Sequence, residues 1–172
     1  MKKLYFIRHG ESVANAEKWH SGRIDSPLTE KGRQQASRAG KKASAQGLSV
    51  DLIVSSPLSR AFETAKIIAK ELGYPEERIQ LNPILVERDY GELSGKLWAP
   101  DIDMDGIADI ETSEELTVRA NEVIAWLKQI EADSILVVSH GSIGRTIRYH
   151  LLAEEEFDPE APFPNAEIVQ WI

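Results

Sequence analysis

Leu4-Tyr5-Phe6-Ile7-Arg8-His9-Gly10 decides how this chain is read. Four apolar and aromatic residues predict a short buried strand. Arg8 and His9 stand where that strand stops. In an open α/β sheet, ligands sit just beyond the carboxyl ends of the strands. The first strand therefore delivers a guanidinium, an imidazole and a flexible glycine to that address. A single histidine after a strand is more often structural than functional, but a second strand repeats the pattern. Ser134-Ile135-Leu136-Val137-Val138-Ser139 is β-branched and apolar, and it ends in His140-Gly141. A third, Asp51 to Ser56, runs into Pro57-Leu58-Ser59-Arg60. If the three strands are parallel, Arg8, His9, Arg60 and His140 meet at one sheet edge. Two neutral imidazoles and two guanidiniums make an anion site, and phosphate suits it best.

Outward from these strands the chain alternates helix and strand. Thr29 is a predicted N-cap for a helix reaching about Gln46, stopped by Gly47. Ala61, Ala65, Ile68 and Leu72 form one stripe of a helix closed by Gly73. Ile79 to Asn82 reads as a short edge strand. Thr112 and Glu115 predict a capping box for a helix with Leu116, Ala120, Val123, Leu127 and Ile130 on one face. His140-Gly141 opens a helix through Ile143, Ile147 and Leu151. Ala166 to Ile172 alternates as a last strand. Gly95 to Glu111 has no period and reads as a loop. The expectation is one domain over residues 1–172: a three-layer α/β/α sandwich with a mostly parallel central sheet.

The motifs carry a resemblance. Leu4 to Ser12, Asn15, Gly22, Asp25 to Thr29 and Gly32 resemble the first motif of the histidine phosphatase family, also called phosphoglycerate-mutase-like. Ser55 to Ala61 with Thr64-Ala65, Leu85 to Gly91 with Gly95, and Val137 to Gly141 are similar to its second, third and fourth motifs. All four occur in the family's order over about 1–152. The resemblance implies the same sandwich fold and a phosphomonoesterase of the family's phosphatase branch. It makes His9 the nucleophile that becomes phosphohistidine, with Arg8 and Arg60 clamping the equatorial oxygens where charge builds. His140 and Asn15 add donors, and the Gly141 and Ser142 amides at a helix N-terminus could add more. Glu87 is the expected proton donor, protonated on attack and deprotonated when water enters. Ser21 and Gly22 complete the expected phosphate loop; Ser21 stands where the family often carries a larger polar residue. His20 and His150 match no motif.

Composition narrows the alternatives. The 172 residues carry a net charge of −8, which argues against nucleic acid or an anionic membrane as partner. The chain has no cysteine, so disulfides, thiolate metal sites and a cysteine-based phosphatase mechanism are excluded. No apolar stretch approaches the ~20 residues of a membrane span, and a soluble cytoplasmic protein is the expectation. His9, His140 and Glu87 have the composition of a two-histidine, one-carboxylate metal site. The arginines oppose it: a guanidinium about 5 Å from a dication costs on the order of 6 kcal/mol at an effective dielectric of about 20. No metal and no cofactor are expected. Asp101-Ile102-Asp103-Met104-Asp105-Gly106 begins like a calcium loop, but Thr112 stands where the pattern needs its twelfth-position Glu.

Phosphoglycerate-mutase chemistry and a non-catalytic phosphate-binding domain are the competing readings. A mutase must hold a second anion. Asp101, Asp103, Asp105, Asp109 and Glu111 are expected to repel one, favouring singly anionic phosphomonoesters with water as acceptor. Leu97, Trp98, Ile102 and Met104 are expected to cover an uncharged or cationic leaving group.

Overall fold

A computed structural model describes residues 3–99, 102–153 and 163–172. Its element order is β1 (Lys3–Arg8), α1 (Val13–Glu17), α2 (Glu30–Ala45), β2 (Leu52–Ser55), α3 (Ser59–Leu72), β3 (Gln80–Leu81), α4 (Ser113–Gln129), β4 (Ser134–Ser139), α5 (Gly141–Leu152) and β5 (Val169–Gln170). The strands join in the order β3-β2-β4-β1-β5. All pairs are parallel except β1–β5.

Side chains of the central strands alternate between two buried layers. Leu4, Phe6, Val54, Ile135 and Val137 meet Leu116, Ala120, Val123 and Leu127 of α4, and Ile143 and Ile147 of α5. Ile7, Ile53, Leu136 and Val138 meet Ala61, Ala65, Ile68 and Ala69 of α3, beside α2. With both faces covered, β4 is apolar from Ile135 to Val138 with no polar face. The architecture is the expected α/β sandwich.

Local signals act as read. Thr29 caps α2 through the Gly32 amide, Gly73 closes α3 at φ +68°, and Thr112 and Glu115 form the capping box of α4. Two features differ from the sequence reading. Helix α1 is too short to show a period; the Ser12–Asn15 capping box nucleates it. The last strand is confined to Val169–Gln170, because Ala166 adopts φ +52° and breaks the extended run. Its neighbours still bond β1: Ala166 N donates to Arg8 O, and Trp171 N to Leu4 O.

The register sets the site. Arg8 lies opposite Ser139, and Ser55 opposite Val138. The next residues along, His9, His140 and Ser56, therefore leave the sheet together. The His9 loop is then held from α2, where a Cβ built on Gly32 would run into the Glu11 carbonyl and backbone. Gly32→Ala should lower stability by about 1–3 kcal/mol through overpacking. Urea unfolding reads this, and an unchanged midpoint would show that the loop yields freely.

Candidate active site

His9 is 3% exposed and His140 fully buried, with ring centroids 5.1 Å apart in an edge-on arrangement. His9 Nδ1 lies 2.7 Å from the Gly10 carbonyl. A carbonyl only accepts, so Nδ1 carries the proton and Nε2 keeps its lone pair. Nε2 in turn accepts from Arg60 Nε at 3.3 Å. Burial lowers the His9 pKa well below the ordinary 6.5, and Arg60 and Arg8 push the same way. The ring is neutral at pH 7, with its lone pair on the nitrogen that accepts from the Arg60 guanidinium. His140 is lowered likewise, by burial first and then by Arg60. Its Nε2 is 2.8 Å from Ser56 Oγ.

Arg60 enters from the first turn of α3 and is fully buried. Its Nη1 and Nη2 donate to the Ile24 and Gly22 carbonyls at 3.0 and 2.7 Å. Arg8 donates through Nη1 to the Phe163 carbonyl. Two buried nitrogens in this cup, Arg8 Nε and His140 Nδ1, have no partner among the described residues. Burying a polar group unpaired costs about 1–3 kcal/mol. An oxyanion among Arg8, Arg60, His9 and His140 would relieve it.

Glu87 closes the cup. Its carboxylate accepts from the amides of Arg88, Gly141, Ser142 and Ile143 at 2.9–3.2 Å. Its oxygens cap the N-terminus of α5. The Gly141 and Ser142 amides, expected on phosphate, are therefore bonded to Glu87 in this structure. The physical reason is the helix end itself, which recruits the nearest carboxylate. The Gly141 position still lies at the cup: a Cβ there would be 3.5 Å from Arg8 Nε.

Asn15 is fixed by its own carbonyl oxygen, which accepts from Ser12 N and from Asn165 Nδ2. Ser21 and Gly22 lie in the loop above Arg60. Gly22, at φ +48°, serves Arg60 through its carbonyl, and a Cβ there would press on Arg88 O and Tyr90. Of the calcium-like stretch, Asp101 lies outside the described residues. Asp105 is bonded to Arg88 Nη2 and to Ser113. No cluster with metal-ligand composition occurs among the described residues. Glu111 is held by Arg119, and Arg23 lies 3.7 Å away. These two acidic side chains are thus paired and add little repulsion. Trp98 and Leu97 are exposed, and Trp98 faces His20, whose buried ring also stacks near Tyr90.

Sequence reasoning missed Asn165, Tyr90 and Ser56. Asn165 Nδ2 donates to His9 O at 2.8 Å. A signal for it existed: it directly precedes Ala166, where the sequence predicts the last strand to begin, and Ala166 N bonds Arg8 O at the carboxyl end of β1. Tyr90 bonds Ser142 Oγ at 2.8 Å, and burial pushes its phenol up to about 12, leaving a neutral hydroxyl. No pattern distinguishes it from an ordinary core tyrosine.

The buried histidines make stability pH-dependent. In the unfolded chain they titrate near 6.5, whereas in the folded chain they protonate only well below it. Below pH 6.5 the unfolded state binds more protons, so stability falls as pH falls. The limiting slope is about 1.4 kcal/mol per pH unit per histidine. Thermal unfolding between pH 7 and 5 should show the decline, and a flat profile would contradict the burial of neutral rings.

Known proteins share both the motifs and the fold. A model of the histidine phosphatase superfamily (branch 1) matches residues 4–170. A 2,3-bisphosphoglycerate-dependent phosphoglycerate mutase of Parvibaculum lavamentivorans is 31% identical over 176 residues, covering 89% of this chain and 82% of that one. The structure of Bacillus stearothermophilus YhfR superposes with a TM-score of 0.84 at 28% identity, over 99% of this chain and 90% of that one. A putative alpha-ribazole-5'-P phosphatase from Escherichia coli gives 0.78 at 27%, over 93% and 82%. No helix among the described residues is long and apolar enough to cross a membrane. With four motifs brought to one sheet edge and a match over nearly its whole length, the chain belongs to the histidine phosphatase superfamily.

Proposed function

We propose that this protein is a phosphomonoesterase that hydrolyses a small phosphorylated metabolite through a phosphohistidine on His9. The observation that carries this reading is the His9 tautomer: Nδ1–H is tied to Gly10 O, and the Nε2 lone pair faces Arg60. Once an ester seated between the arginines takes the Arg60 Nε donor onto its own oxygens, that lone pair is released to attack the phosphorus. Arg8, Arg60, His140 and Asn15 hold the transferring phosphoryl group, whose charge spreads over its equatorial oxygens. Phosphorus gains the bond to Nε2 and loses the ester oxygen, which takes a proton from Glu87 as alcohol. Water then attacks the phosphohistidine, gives its proton to Glu87, and orthophosphate leaves. The cycle balances without a metal or cofactor.

Mutase-type phosphoryl transfer is the second reading, favoured by the 31% identity to a named mutase. Against it, the described part of the stretch after Glu87 is short and offers only Arg88 and Lys96 as cations near the third motif. Arg88 is already engaged by Asp105. The named phosphatase at 27% identity supports water as the acceptor.

Rapid mixing with substrate and an alkaline quench should trap an acid-labile phosphoryl group. His9→Ala should lose both label and turnover, and label that survives in the variant would place the nucleophile elsewhere. Glu87→Gln should bind phosphate yet lose about 10²–10⁴-fold in turnover. The loss should shrink for p-nitrophenyl phosphate, whose leaving group needs little protonation. Equal losses for good and poor leaving groups would exclude an acid role.

A further inference from the structure

Behind the Glu87 wall, between α4 and α5, lies a cavity of about 260 Å³. Arg88, Ser113, Thr117, Ser142, Arg145 and His150 contribute to its lining, and no carboxylate does among the described lining residues. In a chain of net charge −8, a recess with two guanidiniums, an imidazole and several hydroxyls is a local reversal of charge. Arg88 is 8% exposed, and its Nη2 is paired with Asp105. Among the described residues no carboxylate is paired with Arg145, so its guanidinium is the charge left to the recess. Arg145 lies over the Phe163 ring, 5.8 Å from its centroid. The carbonyl of that same Phe163 accepts from Arg8. Arg145 is near enough to Arg8 for its charge to oppose that guanidinium.

The wall between cavity and cup is one residue thick. Ser142 turns its amide to Glu87 and its hydroxyl to Tyr90, and it also lines the cavity. Arg88 does the same from the segment after Glu87, with its amide on Glu87 and its side chain lining the cavity. A group bound here touches two of the four residues whose amides hold the Glu87 carboxylate.

We propose that the α4–α5 cavity is a second anion site, which takes a small carboxylate or oxyanion against Arg145. Its size fits a group of a few heavy atoms rather than a nucleotide. The anion has two possible sources: a free small acid, or an acidic group carried by the ester's leaving alcohol. Only the second rests on the phosphatase reading. Either reverses the expectation that this end of the molecule repels a further anion, because Asp105 and Glu111 are held by Arg88 and Arg119.

The test uses the full chain with its cup first filled by orthovanadate. Malonate is then titrated while the backbone amides of Thr117, Ser142 and Thr146 are followed by NMR. Saturable shifts are expected, with affinity about tenfold weaker in Arg145→Gln, the loss of one charge-assisted hydrogen bond. Arg145→Lys keeps the charge and most of the stem, so it should lie between the two and guards against a folding defect. The source is read from two phosphomonoesters of equal size, one with a carboxylate and one with a carboxamide on the leaving group. A KM raised about tenfold by Arg145→Gln for the carboxylate ester alone assigns the anion to the substrate. Equal responses of the two esters, with malonate affinity still lost, assign it to a free acid. Absence of saturable malonate shifts, or shifts indifferent to both Arg145 variants, overturns the site. The malonate arm needs no turnover, so it stands or falls apart from the phosphatase reading.

Discussion

The site is built on a buried guanidinium. Arg60 is fully buried, no carboxylate among the described residues is bonded to it, and its three donor nitrogens go to His9 Nε2 and the Gly22 and Ile24 carbonyls. Burying such a charge is expensive, and paired neighbours only partly offset it. Burial accordingly pulls its pKa down, and Glu87, Asp25 and Tyr90 only partly oppose it. The elements around it follow from this one constraint. The 20–24 loop is folded over the guanidinium to supply carbonyls, and Gly22 is needed because that loop passes too close to Tyr90 for a side chain. Thr64 ties the α3 turn back to the nucleophile loop by bonding both Arg60 O and Gly10 N. A cup with Arg8, Arg60 and one nearby carboxylate stays short of negative charge until an anion enters, so its electrostatics select for phosphate before any substrate contact is made.

The sheet and the phosphoryl side of the site could be read from the sequence because they rest on strong local signals. Apolar runs ending in Arg8-His9-Gly10 and His140-Gly141 fix two strand ends, and parallel register does the rest. Thr29, Gly73 and the Thr112–Glu115 pair announce helix ends through their own backbone chemistry. What could not be read depends on pairing across space. Glu87 sits far along the chain from Gly141, and nothing in either segment says that the carboxylate caps that helix. The acidic run after Asp101 looked like an exposed negative surface. Whether Asp105 and Glu111 face the site or an arginine is decided by Arg88 and Arg119, which periodicity cannot orient. Asn165 carries no motif, and only the antiparallel docking of β5 on β1 brings its amide to His9 O.

Glu87 draws these observations together. Its carboxylate is held by four backbone amides across two segments, so its position is set by main chain rather than by flexible side chains. In the proposed role of proton donor, a group fixed in this way loses little entropy on approaching a leaving oxygen. The same bonds tie the carboxylate to α5 and thus to the strand that carries His140.

The hydrogen bond from Asn165 to His9 O has a consequence for how the molecule comes to be. The two residues are separated by 156 positions, and β5 must dock on β1 before the amide can reach. During synthesis His9 is made 156 positions before the side chain that holds its carbonyl. Closure over so long a loop is slow compared with helix formation. The polypeptide can acquire its helices and inner strands well before its reaction centre, which makes enzymatic competence a late event of assembly and a report on its completion.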